Sequence, residues 1–326
     1  MTQSKGTGTK GAGLFFAREL VGRVDRRLEE LAGASAPNNT LTPAVRYALL
    51  APGKRLRPLL CLMSAQCLGG RLEEAIDPAC AIEMVHTASL IVDDLPCMDD
   101  AEMRRGQVSC HRKYGQTSAI LVAFELLSLG YRVMSEARGL SDQSRVQLVR
   151  ILATATGISG LIGGQMRDLE AEKGPAEQGE ARRDNVIDTS RVTKTHELKT
   201  GALFVAAAES GGIVAGLSGD ELIPVRDFAA QIGLAYQTLD DLLDVQGTTE
   251  TTGKDVGKDA DKPTLVDVLG PEAAREYADN MIAGAVETLH SLGPNMQPLE
   301  KFVRNTLGQS KSDNPTINPT INPTIN

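Results

Sequence analysis

The sequence predicts an all-α fold, a single domain built as a bundle of ten or more helices. Three observations carry that prediction. Apolar residues make up 41% of the 326, yet aromatics are only 3% and Trp is absent. Ala, Leu, Gly and Val then supply the apolar surface, which suits closely packed helices better than a β-sandwich. Apolar residues recur at helical spacing, with charges opposite, through most of the chain. No alternating strand pattern of useful length interrupts them.

The elements follow in order. Residues 1–13 are Gly/Thr/Lys-rich and read as a flexible N-terminus. LFFARELVGRVDRRLEEL predicts an amphipathic helix over 14–31. LRPLLCLMSAQCLG (56–69) and PACAIEMVHTASLIVDD (78–94) are mostly apolar and read as buried helices. Further helices are predicted at 117–138, 143–171, 185–198, 200–216, 219–246, 271–291 and 297–308, separated by breaks such as GLSGDE and GPE. The stretch 170–185 is charged and Gly-containing, a loop. From Asn314 the motif Asn-Pro-Thr-Ile repeats, and Pro at every fourth position forbids helix. The helical domain therefore runs over 14–308, with 309–326 a flexible tail.

Bulk properties exclude several classes. A net charge of −8 argues against nucleic-acid binding. Five cysteines without a CxxC, and four scattered histidines, make a structural zinc site a poor fit. Reduced thiols point to a cytoplasmic location. No run of 18 uncharged apolar residues predicts a membrane span, and MTQSKGTGTKGAG lacks the apolar centre of a signal peptide.

SLIVDDLPCMDD (89–100) is where chemistry enters. An apolar helix ends in Asp93 and Asp94, and Asp99 and Asp100 follow. Pro96 should stop the helix near Leu95, which leaves the first pair at a helix C-terminus where the dipole is already negative. Two like charges about 6 Å apart repel by roughly 3 kcal/mol at an effective dielectric near 20, so a cation between them is expected. QTLDDLLDV repeats the theme: Asp240 and Asp244 are i, i+4 on one face, and Asp241 flanks them among apolar residues. One such cluster is usually a solvated face. Two, each at the polar end of an apolar helix, suit Mg2+, which takes oxygen ligands and bridges to substrate phosphates.

Cations accompany both motifs. GKRLRP supplies Lys54, Arg55 and Arg57; MRRG supplies Arg104 and Arg105; KTG supplies Lys199 and Thr200; the segment after the second motif supplies Lys254, Lys258 and Lys262. Arginine forks and lysine point charges are phosphate ligands. Any one group alone reads as surface. His86 lies two turns before Asp93; alone it reads as a core histidine, and beside Lys54 and Arg57 as a phosphate contact. Asp168, in GGQMRDLE with Gln165, reads equally as an outer partner for a metal or lysine and as a buried packing group.

Together these motifs resemble the trans-isoprenyl diphosphate synthases: GKRxRP at 53–58, DDxxxxD with RRG at 93–106, GGQxxD at 163–168, KTG at 199–201, and a second DDxxD preceded by Gln237. Within that family VHTASLIVDDLPCMDDAEMRRG looks most like bacterial geranylgeranyl diphosphate synthases. The resemblance implies helices around a central cavity, a homodimer, and Mg2+-dependent head-to-tail condensation of isopentenyl diphosphate with an allylic diphosphate. It implies about three Mg2+ ions held by Asp93, Asp94, Asp99, Asp240 and Asp244, with Asp241 also in the catalytic set. Arg104, Lys199, Lys254 and Lys258 would grip the allylic diphosphate. Lys54, Arg57, His86 and Arg105 would hold isopentenyl diphosphate, and Thr200 and Gln237 would face the allylic cation. Ala88 and Ser89 are small where relatives use bulk to shorten the product, so a C20 product is expected, with C15 the alternative; Phe124 is a candidate floor. The NPTI tail is foreign to the family. A terpene synthase would need a different second motif and more aromatics. A non-catalytic partner subunit would have lost aspartates, and both motifs are intact.

Overall fold

The computed structural model describes residues 8–34, 39–172, 189–246 and 263–308. Lys254, Lys258, Lys262, the predicted loop at 170–185 from residue 173 onward, and the NPTI tail lie outside the described residues. The helices are α1 (Gly8–Ala34), α2 (Thr42–Leu49), α3 (Leu56–Cys67), α4 (Leu72–Asp93), α5 (Cys110–Tyr114), α6 (Gln116–Ser135), α7 (Asp142–Thr156), α8 (Leu161–Glu172), α9 (Thr189–His196), α10 (Ala202–Val214), α11 (Ile223–Gln246), α12 (Leu265–Leu269), α13 (Pro271–Ser291) and α14 (Gln297–Leu307). A π-helical turn, Glu197–Gly201, joins α9 to α10. The strands described are a two-residue pair, β1 (Met103–Arg104) and β2 (Gln107–Val108), antiparallel.

The all-α expectation holds, with corrections to boundaries. α1 begins at Gly8, not 14. α4 begins at Leu72 and carries Pro78 inside it, although Pro reads as a helix start. Glu73 and Glu74 in its first turn favour that earlier start through the helix dipole. The predicted helix 143–171 is two helices. Gly160 sits so close to the Ala155 carbonyl that a Cβ would lie 2.2 Å from it, and the chain turns there. The short elements α2, α5, α12 and the β-pair fell below what periodicity resolves.

α4 and α10 form the centre, buried on nearly all faces. Around them α3, α6, α7 and α11 pack into one continuous core rich in Leu, Ala and Cys. Gly211 lets α10 approach α3, where a Cβ would meet the Cys61 carbonyl at 2.5 Å. Among the described residues, three stretches are apolar enough by length and composition to cross a membrane: α4, α6 and the 142–171 stretch. The sequence count of uncharged runs excluded them because it allowed no charge. In α4, 72% of that apolar window is packed inside the bundle. α4 runs towards Asp93 and α11 towards Asp240, and the functional side chains gather at that end.

Candidate active site

α4 stops at Asp93, and the following loop folds back on it. The Asp99 amide donates to the Asp93 carbonyl (2.9 Å) and the Asp100 amide to the Leu95 carbonyl (3.1 Å). This return brings Asp99 beside Asp93. The Asp93 carboxyl is pushed up to about 6: burial is the main cause, Asp99 and Asp94 add to it, and Lys199 and Arg104 oppose it.

Asp94, expected as a metal ligand, is engaged by Arg104 in this structure. It is 2% exposed, and its Oδ1 accepts from Arg104 Nε at 2.8 Å and from Nη2. It lines a cavity of about 40 Å3 with Tyr47, Thr87, Leu90 and Cys110, behind the acidic mouth. Its carboxylate holds Arg104. Asp100 has a left-handed backbone (φ 44°). Arg112 Nη2 donates to its Oδ1 at 3.1 Å, and His111 Nε2 lies 3.6 Å away, so it anchors the loop.

On α11, Asp240 and Asp244 are half-buried and Asp241 is buried. Asp241 Oδ1 accepts from Gln237 Nε2 at 2.8 Å. That fixes the amide, so Gln237 Oε1 faces Thr200, whose hydroxyl donates to it. His196 Nε2 lies 3.6 Å from Asp241 Oδ2. Burial lowers the His196 pKa to about 4, so the ring is neutral at physiological pH.

Lys199 and Thr200 sit in the π-helical turn. Such turns are frequent at functional sites. Here the extra residue lets Lys199 reach Asp168 on α8 while Thr200 reaches Gln237 on α11. Gly164 makes the approach possible: a Cβ there would lie 2.3 Å from the Lys199 nitrogen.

The second cationic group lies at the start of α3. Arg57 is buried, its guanidinium 4.6 Å over the Phe204 ring. Its Nη1 is 3.3 Å from His86 Nε2. Arg57 can only donate, so Nε2 accepts and the His86 proton sits on Nδ1. Burial, then Arg57 and Arg105, hold the His86 pKa well below its ordinary value. Burial also lowers Arg57 and Arg105. Arg57 Nε is buried without a partner in the protein, as are both amide ends of Gln165. Such groups cost about 1–3 kcal/mol each when unsatisfied. Lys54 is exposed at the rim.

Electrostatic coupling ties the two ends together. Asp93 feels Lys199, and Arg57 feels Asp240. Ser89 donates to the His86 carbonyl at 2.8 Å, and Ala88 is buried. Phe124 is corrected as a floor: its ring is 65% exposed on the outer face of α6, so it closes no cavity within one chain. The sequence reading gave no role to Glu83, His196 or Asp94 as an anchor. A charged residue inside the apolar CAIEMVHTASLIV was the available signal for Glu83.

Among the described residues no three acidic, Cys or His side chains converge to enclose an ion by themselves. The donor chemistry nevertheless fits Mg2+, which binds through one or two carboxylates plus water and phosphate oxygens. The raised Asp93 carboxyl marks a place where a divalent charge would relieve repulsion.

A family model for polyprenyl synthetase matches residues 38–290. The chain is 38% identical over 290 residues to a geranylgeranyl diphosphate synthase from Pantoea ananas, covering 88% of this chain and 91% of that one. It is 42% identical over 254 residues to geranylgeranyl pyrophosphate synthase 11 of Arabidopsis thaliana, covering 77% and 69%. Among solved structures, an FPP/GFPP synthase from Zymomonas mobilis superposes with a TM-score of 0.79 at 31% identity, covering 91% and 99% of the two chains. A Helicobacter pylori geranyltransferase, solved with magnesium and isoprenyl diphosphate, gives 0.77 at 30% identity, covering 94% and 99%. The paired aspartate motifs at converging helix ends, the cations beside them and these matches over most of the chain agree: the chain belongs to the polyprenyl synthetase family.

Proposed function

We propose that the protein is a trans-prenyltransferase that condenses isopentenyl diphosphate with allylic diphosphates and makes geranylgeranyl diphosphate, C20. The observation that carries this reading is the juxtaposition, at one end of the bundle, of two acidic helix ends with two cationic groups, Lys199 with Arg104 and Arg57 with Arg105. Asp93 and Asp99 from one side, and Asp240 and Asp244 from the other, would hold about three Mg2+ ions. When bound, the metal neutralises the leaving diphosphate. Arg104, steadied by Asp94, and Lys199, steadied by Asp168, orient that diphosphate. Arg57, Arg105, Lys54 and neutral His86 bind the isopentenyl diphosphate. Gln237 Oε1, fixed by Asp241, and the Thr200 oxygen present partial negative charge to the allylic cation once the C–O bond has broken. The isopentenyl double bond attacks that cation, and the proton lost from the new chain passes to the released diphosphate.

The small residues Ala88 and Ser89, on the α4 turn before Asp93, support C20. Similarity to a structure described as an FPP/GFPP synthase supports C15 as the competing product. We also propose a homodimer, supported by exposed Ile120, Leu121 and Phe124 on α6. A cytosolic location is supported by five unpaired cysteines.

The test is incubation with Mg2+, labelled isopentenyl diphosphate and dimethylallyl, geranyl or farnesyl diphosphate in turn, followed by chromatography. A C20 product from all three primers is expected. Absence of condensation with every primer removes the proposal, and a dominant C15 product replaces its chain length.

A further inference from the structure

Glu83 is a carboxylate with no place in the chemistry above, yet it is 1% exposed in the middle of α4. Its Oε1 accepts from Arg55 Nη1 at 2.8 Å and lies 3.5 Å from Arg105 Nη2. Arg55 is itself 4% exposed and fully engaged. Its Nε donates to Asp25 Oδ1 at 2.9 Å and its Nη2 to the Ala51 carbonyl at 3.0 Å.

Two further facts converge on the same cluster. The described non-glycine residues with left-handed backbones are Arg55 (φ 49°), Asp100 (φ 44°) and Arg105 (φ 53°). Two of these three send their side chains to Glu83. Such conformations persist only where the surroundings over-determine them. In addition, the loop before α3 lies directly on both guanidinium groups: a Cβ on Gly53 would be 3.3 Å from Arg55 Nη1 and 3.3 Å from Arg105 Cζ. That loop ends in Lys54.

Glu83 is therefore the buried anion around which Arg55, Arg105 and the Pro52–Lys54 loop are arranged, and its charge also favours ionised Arg57. Breaking such a buried pair leaves uncompensated charge and frees the groups it held.

We propose that Glu83, clamped by Arg55, is the positioning residue of the isopentenyl diphosphate pocket, holding Arg105 and the Lys54 loop in their binding geometry before substrate arrives. This rests on the prenyltransferase reading above, and it predicts that the two diphosphate sites respond differently.

The experiment measures both Michaelis constants for Glu83→Gln and Asp25→Asn, with calorimetric titration of isopentenyl diphosphate in the absence of metal. For Glu83→Gln the KM for isopentenyl diphosphate rises about tenfold or more, its metal-free affinity falls in parallel, and the KM for the allylic substrate stays within about twofold. Asp25 is half-exposed and holds Arg55 from the outside; its variant keeps the buried charge pair and raises only the isopentenyl KM, by about threefold. If Glu83→Gln does not fold, Asp25→Asn alone decides. Unchanged isopentenyl binding, or equal changes for both substrates, overturns the proposal. A wild-type chain that condenses no primer overturns the prenyltransferase reading instead, and the metal-free titration still reports on the pocket.

Discussion

Asp93 and Asp94 are adjacent in sequence and stand in different surroundings. Asp93 keeps its carboxyl pushed up to about 6 because it is partly buried beside Asp99. A raised acid pKa means the metal-free folded state binds the proton more readily than the unfolded chain. Stability from this group is therefore full below about pH 4 and lost as pH rises through about 6. Asp93→Asn is expected to raise the metal-free melting temperature at pH 7.5 and to leave it unchanged at pH 4, a gain of about 1–2 kcal/mol. Turnover is expected to follow the other sign: activity falls at low pH as Asp93 takes up its proton, and more Mg2+ moves that limb to lower pH. A pH–rate series at two metal concentrations checks it. Asp94→Asn has a different expected signature. It removes the carboxylate under Arg104, lowering stability by about 2 kcal/mol, and raises the allylic KM while turnover at saturation persists. Both aspartates were legible in the sequence as a pair. Their different surroundings were not, because these depend on which side of the helix end the loop returns to.

At the scale of elements, the decisive local structure is the π-helical turn that carries Lys199 and Thr200. One extra residue in a helical turn leaves the apolar periodicity almost unchanged, so the sequence reads as two plain helices, 185–198 and 200–216. The long stretch 143–171 misleads for a related reason. Its pattern continues across the bend at Gly157–Gly160, where glycine permits the close approach of Gly160 to the Ala155 carbonyl and of Gly163 to the Ile158 carbonyl. KTG and GGQxxD marked residues that meet in the fold, Lys199 and Asp168, but not that Gly164 is the seat on which the Lys199 backbone rests. Gly164→Ala places a Cβ 2.3 Å from that nitrogen. We expect a loss of about 1–3 kcal/mol from overpacking and a fall in turnover of about tenfold or more as Lys199 leaves Asp168. Thermal unfolding and steady-state kinetics together test this. Normal turnover in a destabilised variant would separate the turn from catalysis.

For the whole molecule, composition together with helical periodicity indicated a helical bundle, since few aromatics and much Ala and Leu suit closely packed helices. What composition hid was the outer face of α6. Phe124 reads as core in an apolar sequence, yet its ring stands in solvent with Ile120 and Leu121 nearby. If the chain is the proposed homodimer, Phe124→Glu is expected to shift the sedimenting species from dimer to monomer; an unchanged dimer places the interface elsewhere, and a monomeric wild type removes the proposed homodimer. Product length is the other property of the assembly. Ala88→Phe adds bulk one turn and a half before the metal end of α4, and chromatography of its products should show chains shortened by at least one five-carbon unit. An unchanged C20 product would put the limiting wall on another helix.

α4 carries Glu83, His86 and Asp93 on one uninterrupted rod. At 1.5 Å per residue, Glu83 and Asp93 are about 15 Å apart along its axis. On the proposed assignment of the two diphosphate sites, the helix acts as a fixed gauge between the cradle for one pyrophosphate and the cradle for the other. Successive elongation cycles would then lengthen the greasy tail without altering that gauge, so every round of coupling would meet the same spacing between the two pyrophosphates whatever the size of the primer.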